Sequence, residues 1–230
     1  MTIGGFQKFS LIDFPGRVAA VVFTRGCNFR CPYCHNPQLV EPVTGGAAVS
    51  EEAVLSFLGT RVGKLAGVTV TGGEPTIQPD IEEFLAKLKA LGFAVKLDTN
   101  GSAPRVLERI LRAGLMDYVA LDLKASPARY AEVAGVTVDV EDLRASIQAV
   151  VASGIPHELR MTFLERILPS EEIPAVAELA RGCGLFVIQP FLPSTTLEPR
   201  MRAEPRPSLA QMNAVCSRFR SLGLPTRVRA

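Results

Sequence analysis

The chain has no run approaching 18 consecutive apolar residues, and its opening, MTIGGFQKFSLIDFPGR, lacks a basic segment followed by a long apolar stretch. The first absence argues against a bilayer-spanning helix and the second against a secretory leader. Neither sign of charge dominates: 25 Lys and Arg against 23 Asp and Glu leave +2. Composition therefore gives no electrostatic case for nucleic acid or a membrane as a partner. Five unevenly spaced cysteines do not make a disulfide framework for 230 residues, and the cytoplasm is the expected compartment. Internal repeats and low-complexity tracts are missing as well. What remains is 47% hydrophobic content in a chain long enough for one sizeable core, so a single domain over 1–230 is expected.

Short β-branched runs alternate with amphipathic helical patterns. The strand candidates are VAAVVF (18–23), GVTVT (67–71), AVKLDT (94–99), YVALDL (118–123), ELRMTF (158–163) and LFVIQPF (185–191). They lack strict polar alternation, as strands covered on both faces do. Asp80 with Glu83 reads as a capping box before the stripe Ile81, Phe84, Leu85 and Leu88, which Gly92 closes. Pro104 stands near the start of the next helix, and Ser170, Glu171 and Glu172 open another. Gly114, Gly154 and Gly184 are expected stops. Six strand-helix repeats predict an α/β fold with a mainly parallel sheet. Periodicity does not say whether that sheet curls into a partial barrel or lies open.

In either case reactive groups collect at the carboxyl ends of the strands. There the sequence places a cysteine loop, then TGGEP (71–75), LDTNG (97–101), LDLK (121–124), Arg160 and Gln189. The loop, RGCNFRCPYCHN, carries Cys27, Cys31 and Cys34. This spacing suits three corners of a cubane iron-sulfur cluster whose fourth iron has no protein ligand. Two other readings stay open, a zinc site completed by His35 and an electron-transfer cluster completed by Cys183 or Cys216. His35 adjoins Cys34, which makes convergence on one small ion difficult. Cys183 and Cys216 lie in apolar helical contexts, where a cysteine acts as a small hydrophobe.

CxxxCxxC with Tyr33 before its last cysteine, followed about forty residues on by GGEP, resembles the radical S-adenosylmethionine (SAM) enzymes. CHN at the third cysteine, LDTNG and LDLK resemble the activating enzymes of glycyl-radical proteins. The opening GFQKFSLIDFPGRVAAVVFTRGCNFRCPYCHNP is similar to the activating proteins of anaerobic ribonucleoside-triphosphate reductase. The resemblance covers about residues 4–191; the core would span about 15–191, with a connector and a final helix over 192–230. It implies a partial (β/α)6 barrel and a 4Fe-4S cluster on Cys27, Cys31 and Cys34. SAM would be held near Tyr33, Gly72, Gly73, Glu74, Lys124 and Arg160, and a monovalent cation near Asp98, Thr99 and Asp122.

The implied reaction is reductive cleavage of SAM that ends in a glycyl radical on a partner enzyme, foremost anaerobic ribonucleotide reductase. An electron donor such as flavodoxin or ferredoxin is implied with it. The alternatives are a radical SAM enzyme acting on a small molecule and a non-catalytic iron-sulfur electron-transfer protein. Two features depart from neighbouring groups. Formate-lyase activases tend to carry a histidine after the sixth strand, where this chain has QPFLPS (189–194), and residues 35–182 hold no cysteine for a second cluster. The segment PSTTLEPRMRAEPRP (193–207) reads as a mobile flap over the open side of a partial barrel, as a contact for the partner protein, or as a solvated linker.

Overall fold

Each of the six apolar runs forms a strand in the computed structural model, which describes residues 1–42 and 49–229. In chain order the elements are β1 (Ile3–Ser10), β2 (Ala19–Thr24), α1 (Glu51–Gly59), β3 (Gly67–Gly72), α2 (Ile81–Ala90), β4 (Ala94–Thr99), α3 (Pro104–Arg112) and β5 (Tyr118–Leu123). They continue with α4 (Tyr130–Ala134), α5 (Val140–Ala152), β6 (His157–Phe163), α6 (Ile173–Leu179), β7 (Phe186–Pro190), α7 (Leu209–Ser221) and β8 (Thr226–Val228). The fold is α/β with mainly parallel strands. Two strands, β1 and β8, join the six that the apolar runs announce.

The chain packs as two compact units. The first comprises Met1–Asn28, Gln38–Thr99 and Arg105–Val119, and the second Phe29–Pro37, Asn100–Pro104 and Ala120–Ala230. In the first, β1 runs antiparallel to β2, with Ile3 opposite Thr24 and Ser10 opposite Ala19. Next, β2 pairs parallel with β3 from Ala19–Gly67 to Thr24–Gly72, and β3 pairs parallel with β4. Its core is made by Val21, Val22, Val68, Val70, Leu85, Leu88, Val95 and Leu97, all fully buried. In the second unit β6 pairs parallel with β7, and β7 with β8. There Phe186 packs on Phe219 of α7 with ring centroids 4.8 Å apart.

Helix ends mostly follow their sequence signals. Pro104 starts α3, and Gly92, Gly114 and Gly154 take positive φ beyond helix ends. Ser208 and Gln211 form a complete capping box on α7. Two expectations need correction. Asp80 precedes α2 without capping it, because its carboxylate is taken by the N-terminal ammonium of Met1. An ion pair to that ammonium competes directly with a cap to a backbone N–H. The residue that turns the chain after α6 is Gly182, at φ +86°, in place of Gly184. Among the described residues no helix is long and apolar enough to cross a membrane.

Candidate active site

The first unit brings β3's end against the start of the cysteine loop. The backbone N–H of Gly73 donates to Thr24 O at 2.9 Å, and that of Glu74 to Gly26 O at 2.8 Å. This contact requires the two glycines. A Cβ at Gly73 would stand 2.7 Å from the carbonyl carbon of Gly26, with the Gly26 oxygen nearer still. One at Gly72, whose φ is +118°, would stand 2.8 Å from the carbonyl carbon of Phe23 and closer to Thr24. Their smallness thus serves the approach of one backbone to another.

Glu74 is 1% exposed. Its Oε1 accepts from the Thr76 N–H at 3.0 Å, the Thr76 hydroxyl at 2.6 Å and the Thr99 hydroxyl at 2.7 Å. A buried carboxylate is tolerable when charge-assisted hydrogen bonds compensate its lost hydration. Thr99 therefore orients Glu74. Asp98, on the opposite face of β4, is ion-paired with Lys96, a side chain only 1% exposed. Residues two apart on a strand share a face, a signal that would have found this pair in the sequence.

In the second unit, Cys31 and Cys34 bracket a turn closed by Cys34 N–H to Cys31 O at 3.0 Å. The turn is held from outside: Arg30 N–H donates to Ala134 O at 2.8 Å, and Glu198 N–H to Pro32 O at 2.9 Å. His35 Nε2 accepts from the Leu192 N–H at 3.3 Å. Leu192, just before the 193–207 connector, and Glu198 within it are thereby tied to the cysteine loop, with Thr196 and Met201 buried. Much of that stretch is exposed, and it is anchored at Thr196, Glu198 and Met201. Burial, the largest influence, and then the nearby Lys124 charge lower the His35 pKa, against the Leu192 contact, which raises it.

Tyr33, inside the turn, is buried, and its hydroxyl has no hydrogen-bond partner among the described residues. Burial, then the charge of Cys31, raise its pKa. Lys124 and Arg160 flank Asp122, with Arg160 Nε at 2.7 Å and Lys124 Nζ at 3.4 Å. Burial alone would push the Asp122 carboxyl up, but the two cations outweigh it and hold it well below the usual carboxylate range. Burial likewise opposes the charge on Lys124, yet Asp122 and then Tyr33 and Cys31 raise its pKa. Lys124 N–H also donates to the Tyr130 hydroxyl at 3.2 Å. Sequence reasoning missed Tyr130, Thr76 and Lys96. Cys183 and Cys216 are buried as expected of small hydrophobes.

Of the residues singled out in the sequence, Cys27, Gly72, Gly73, Glu74, Asp98 and Thr99 belong to the first unit; Cys31, Tyr33, Cys34, Asp122, Lys124 and Arg160 belong to the second. Among the described residues no three His, Cys, Asp or Glu side chains come together as ligands of a single metal ion. A cubane binds each thiolate at a separate iron, so its ligands occupy separate corners. In the second unit Cys31 and Cys34, with the unpartnered Tyr33 hydroxyl between them in the turn, are donors that suit two corners of such a cluster.

Residues 21–180 match the model of the radical SAM superfamily. The chain belongs to that superfamily. A Methanocaldococcus jannaschii protein, MJ1227, named as a candidate glycyl-radical enzyme activating enzyme, is 33% identical over 211 residues, covering 89% of this chain and 86% of its own. The pyruvate formate-lyase-activating enzyme of Clostridium pasteurianum is 36% identical over 128 residues, 53% of this chain and 52% of that protein. The chain thus matches about half the length of this second relative. Streptococcus suis SuiB, solved with bound S-adenosylmethionine, has the same fold: the TM-score is 0.67 at 15% identity, covering 89% of this chain and 48% of that one. As a radical SAM enzyme the chain uses a 4Fe-4S cluster and SAM.

Proposed function

We propose that this protein installs a glycyl radical on a partner enzyme, and that the partner is an anaerobic ribonucleotide reductase. The observation that carries the first part is the 33% identity with the M. jannaschii protein across 89% of this chain. A match of that extent includes both units, where a shared cluster motif alone would cover a short segment. The second part is supported by the opening GFQKFSLIDFPGR and by CHN at the third cysteine.

Cys27, Cys31 and Cys34 hold the cluster in this reading, and Glu74, Lys124 and Arg160 take the charged groups of the SAM methionine. Tyr33 offers its unpartnered hydroxyl to the same ligand. The bound cofactors supply reductive cleavage of the sulfonium and hydrogen-atom abstraction, and the protein's task is orientation and exclusion of water. Thr76 and Thr99 fix the Glu74 carboxylate, and Asp122 keeps Lys124 charged and placed.

The test has two stages. Anaerobically reconstituted protein should hold one four-iron cluster and cleave SAM with dithionite, and Cys31→Ala should abolish cleavage. With an anaerobic ribonucleotide reductase added, electron paramagnetic resonance should show a glycine-centred doublet. Efficient turnover of a small metabolite, without a radical on that reductase or on a panel of other glycyl-radical enzymes, would overturn the activase reading and leave the superfamily assignment standing.

A further inference from the structure

Lys124 is held only loosely by its charge partner. Its Nζ stands 3.4 Å from Asp122, at the outer limit of a hydrogen bond, while Arg160 takes the other oxygen of that carboxylate at 2.7 Å. A flexible four-carbon stem on so long a contact does not by itself fix an ammonium. The side chain is nonetheless only 18% exposed, so what fixes it has to act through the backbone. The Tyr130 hydroxyl does so, accepting from the Lys124 N–H at 3.2 Å where the chain leaves β5.

Tyr130 is the first residue of α4, and α4 is tied to the cysteine turn as well. The Tyr130 ring meets Phe29 edge-on, with centroids 6.4 Å apart. At the other end of the helix Ala134 O accepts from the Arg30 N–H at 2.8 Å. Gly135, at φ +70°, then lets the backbone run against Arg30, since a Cβ there would stand 2.8 Å from the Arg30 carbonyl carbon. Arg129, just before α4, anchors the same segment to the chain beyond β6. It donates to both oxygens of Glu132 at 3.0 and 2.8 Å, and to the carbonyl oxygens of Arg166 at 3.1 Å and Ile167 at 3.4 Å. A five-residue helix has too few internal hydrogen bonds to stand alone, and these outside contacts supply what it lacks. All of these residues belong to the second unit.

Packing alone does not account for Tyr130. It is 1% exposed, and a phenylalanine would fill the same space without burying a hydroxyl, which costs free energy unless it is bonded. That hydroxyl is spent on the backbone of the lysine. We propose that Tyr130 is a positioning residue: through α4 it fixes where the Lys124 ammonium stands relative to the turn that bears Cys31 and Cys34, and so where an anionic group on Lys124 lies beside that turn. This rests on the reading that Lys124 takes a charged group of SAM.

The test is a double-mutant cycle between Tyr130→Phe and Lys124→Ala, read by calorimetry of SAM binding to anaerobically reconstituted protein. Tyr130→Phe should weaken binding by about three- to tenfold, the usual worth of one net hydrogen bond. In the Lys124→Ala background the same change should move the Kd by less than about twofold, because the side chain that it places is gone. Hydrogen exchange on cluster-free protein gives a second readout: the Lys124 amide should exchange about tenfold faster in Tyr130→Phe, with the amides inside β5 at parent rates. The ring is retained, so Tm should fall by no more than about 6 °C. Equal SAM affinity in parent and Tyr130→Phe, with Lys124→Ala weakened, would overturn the positioning role alone. An equal loss in both backgrounds would also overturn it, leaving Tyr130 a structural residue. If Lys124→Ala binds SAM as tightly as the parent, the assignment of Lys124 to SAM has failed and the proposal falls with it.

Discussion

Replacing Gly73 by alanine tests what the GGEP glycines do in this chain. The added Cβ would stand 2.7 Å from the carbonyl carbon of Gly26, about 0.7 Å short of the 3.4 Å at which ordinary contact begins. It would also stand 3.0 Å from Leu39 O. All these neighbours are backbone atoms, so no side chain can swing aside. Overpacking of this sort costs about 1–3 kcal/mol. Displacing Gly26 also weakens the Glu74 N–H to Gly26 O hydrogen bond of 2.8 Å, worth about 0.5–1.5 kcal/mol. The sum, about 2–4 kcal/mol, lowers Tm by roughly 5–15 °C at this chain length. Circular dichroism melts of cluster-free protein measure it without interference from iron chemistry. Gly59, at the end of α1 with nothing within 4 Å of its built Cβ, is the control. There the same substitution should stabilise by about 0.5–1 kcal/mol, because alanine has the higher helix propensity. A Gly73→Ala protein melting within 1 °C of the parent would refute the backbone-contact account. Because Gly26 precedes Cys27, iron uptake should fall together with Tm.

Other perturbations have equally definite outcomes. Glu74→Gln should weaken SAM binding by about ten- to a hundredfold through loss of one charge-assisted contact, and an unchanged Kd would place the ligand elsewhere. The Asp122 pKa is depressed in the folded state, so its contribution to stability is present above the unfolded carboxylate value of about 3.9. It is lost as pH falls through the folded value, and Arg160→Met should shrink the fall in Tm below about pH 4; identical pH profiles would contradict the ion-pair assignment. Burial pushes the Cys183 thiol up to about 11, so at pH 8 its alkylation by iodoacetamide should be about a hundredfold slower than that of a free thiol. Mass spectrometry after timed quenching would show the reverse if Cys183 were accessible.

The six parallel-type strands were legible because strands covered on both faces require continuous Val, Ile, Leu and Phe. The other two left no such mark. IGGFQKFS of β1 contains two glycines and an exposed Gln7, Lys8 and Phe9, so it reads as a polar opening, and β8 is three residues long. Asp80 carried a valid capping pattern, but the competitor for its carboxylate comes from 79 residues away, a distance no local pattern spans. Thr99, expected near a cation, also orients Glu74, a role the sequence did not show because the two meet through the fold across 25 positions. Glu74, Lys124 and the cysteines stood out by motif. Their supporting partners, Thr76 and Tyr130, are common residue types that gain meaning only when their hydroxyls are placed.

The hydrogen bonds around the turn between Cys31 and Cys34 also bear on how a lost cluster is rebuilt. Arg30, Pro32, Cys34 and His35 are each held by a hydrogen bond to a partner within the protein. Fixing the backbone of one residue costs about 1–2 kcal/mol, so ordering a five-residue turn would otherwise subtract on the order of 5–10 kcal/mol from cluster affinity. Hydrogen bonds from the rest of the protein would offset part of that cost. Two thiols of the second unit sit on a turn whose hydrogen bonds involve no iron, so cluster-free protein is expected to reload with iron and sulfide without refolding.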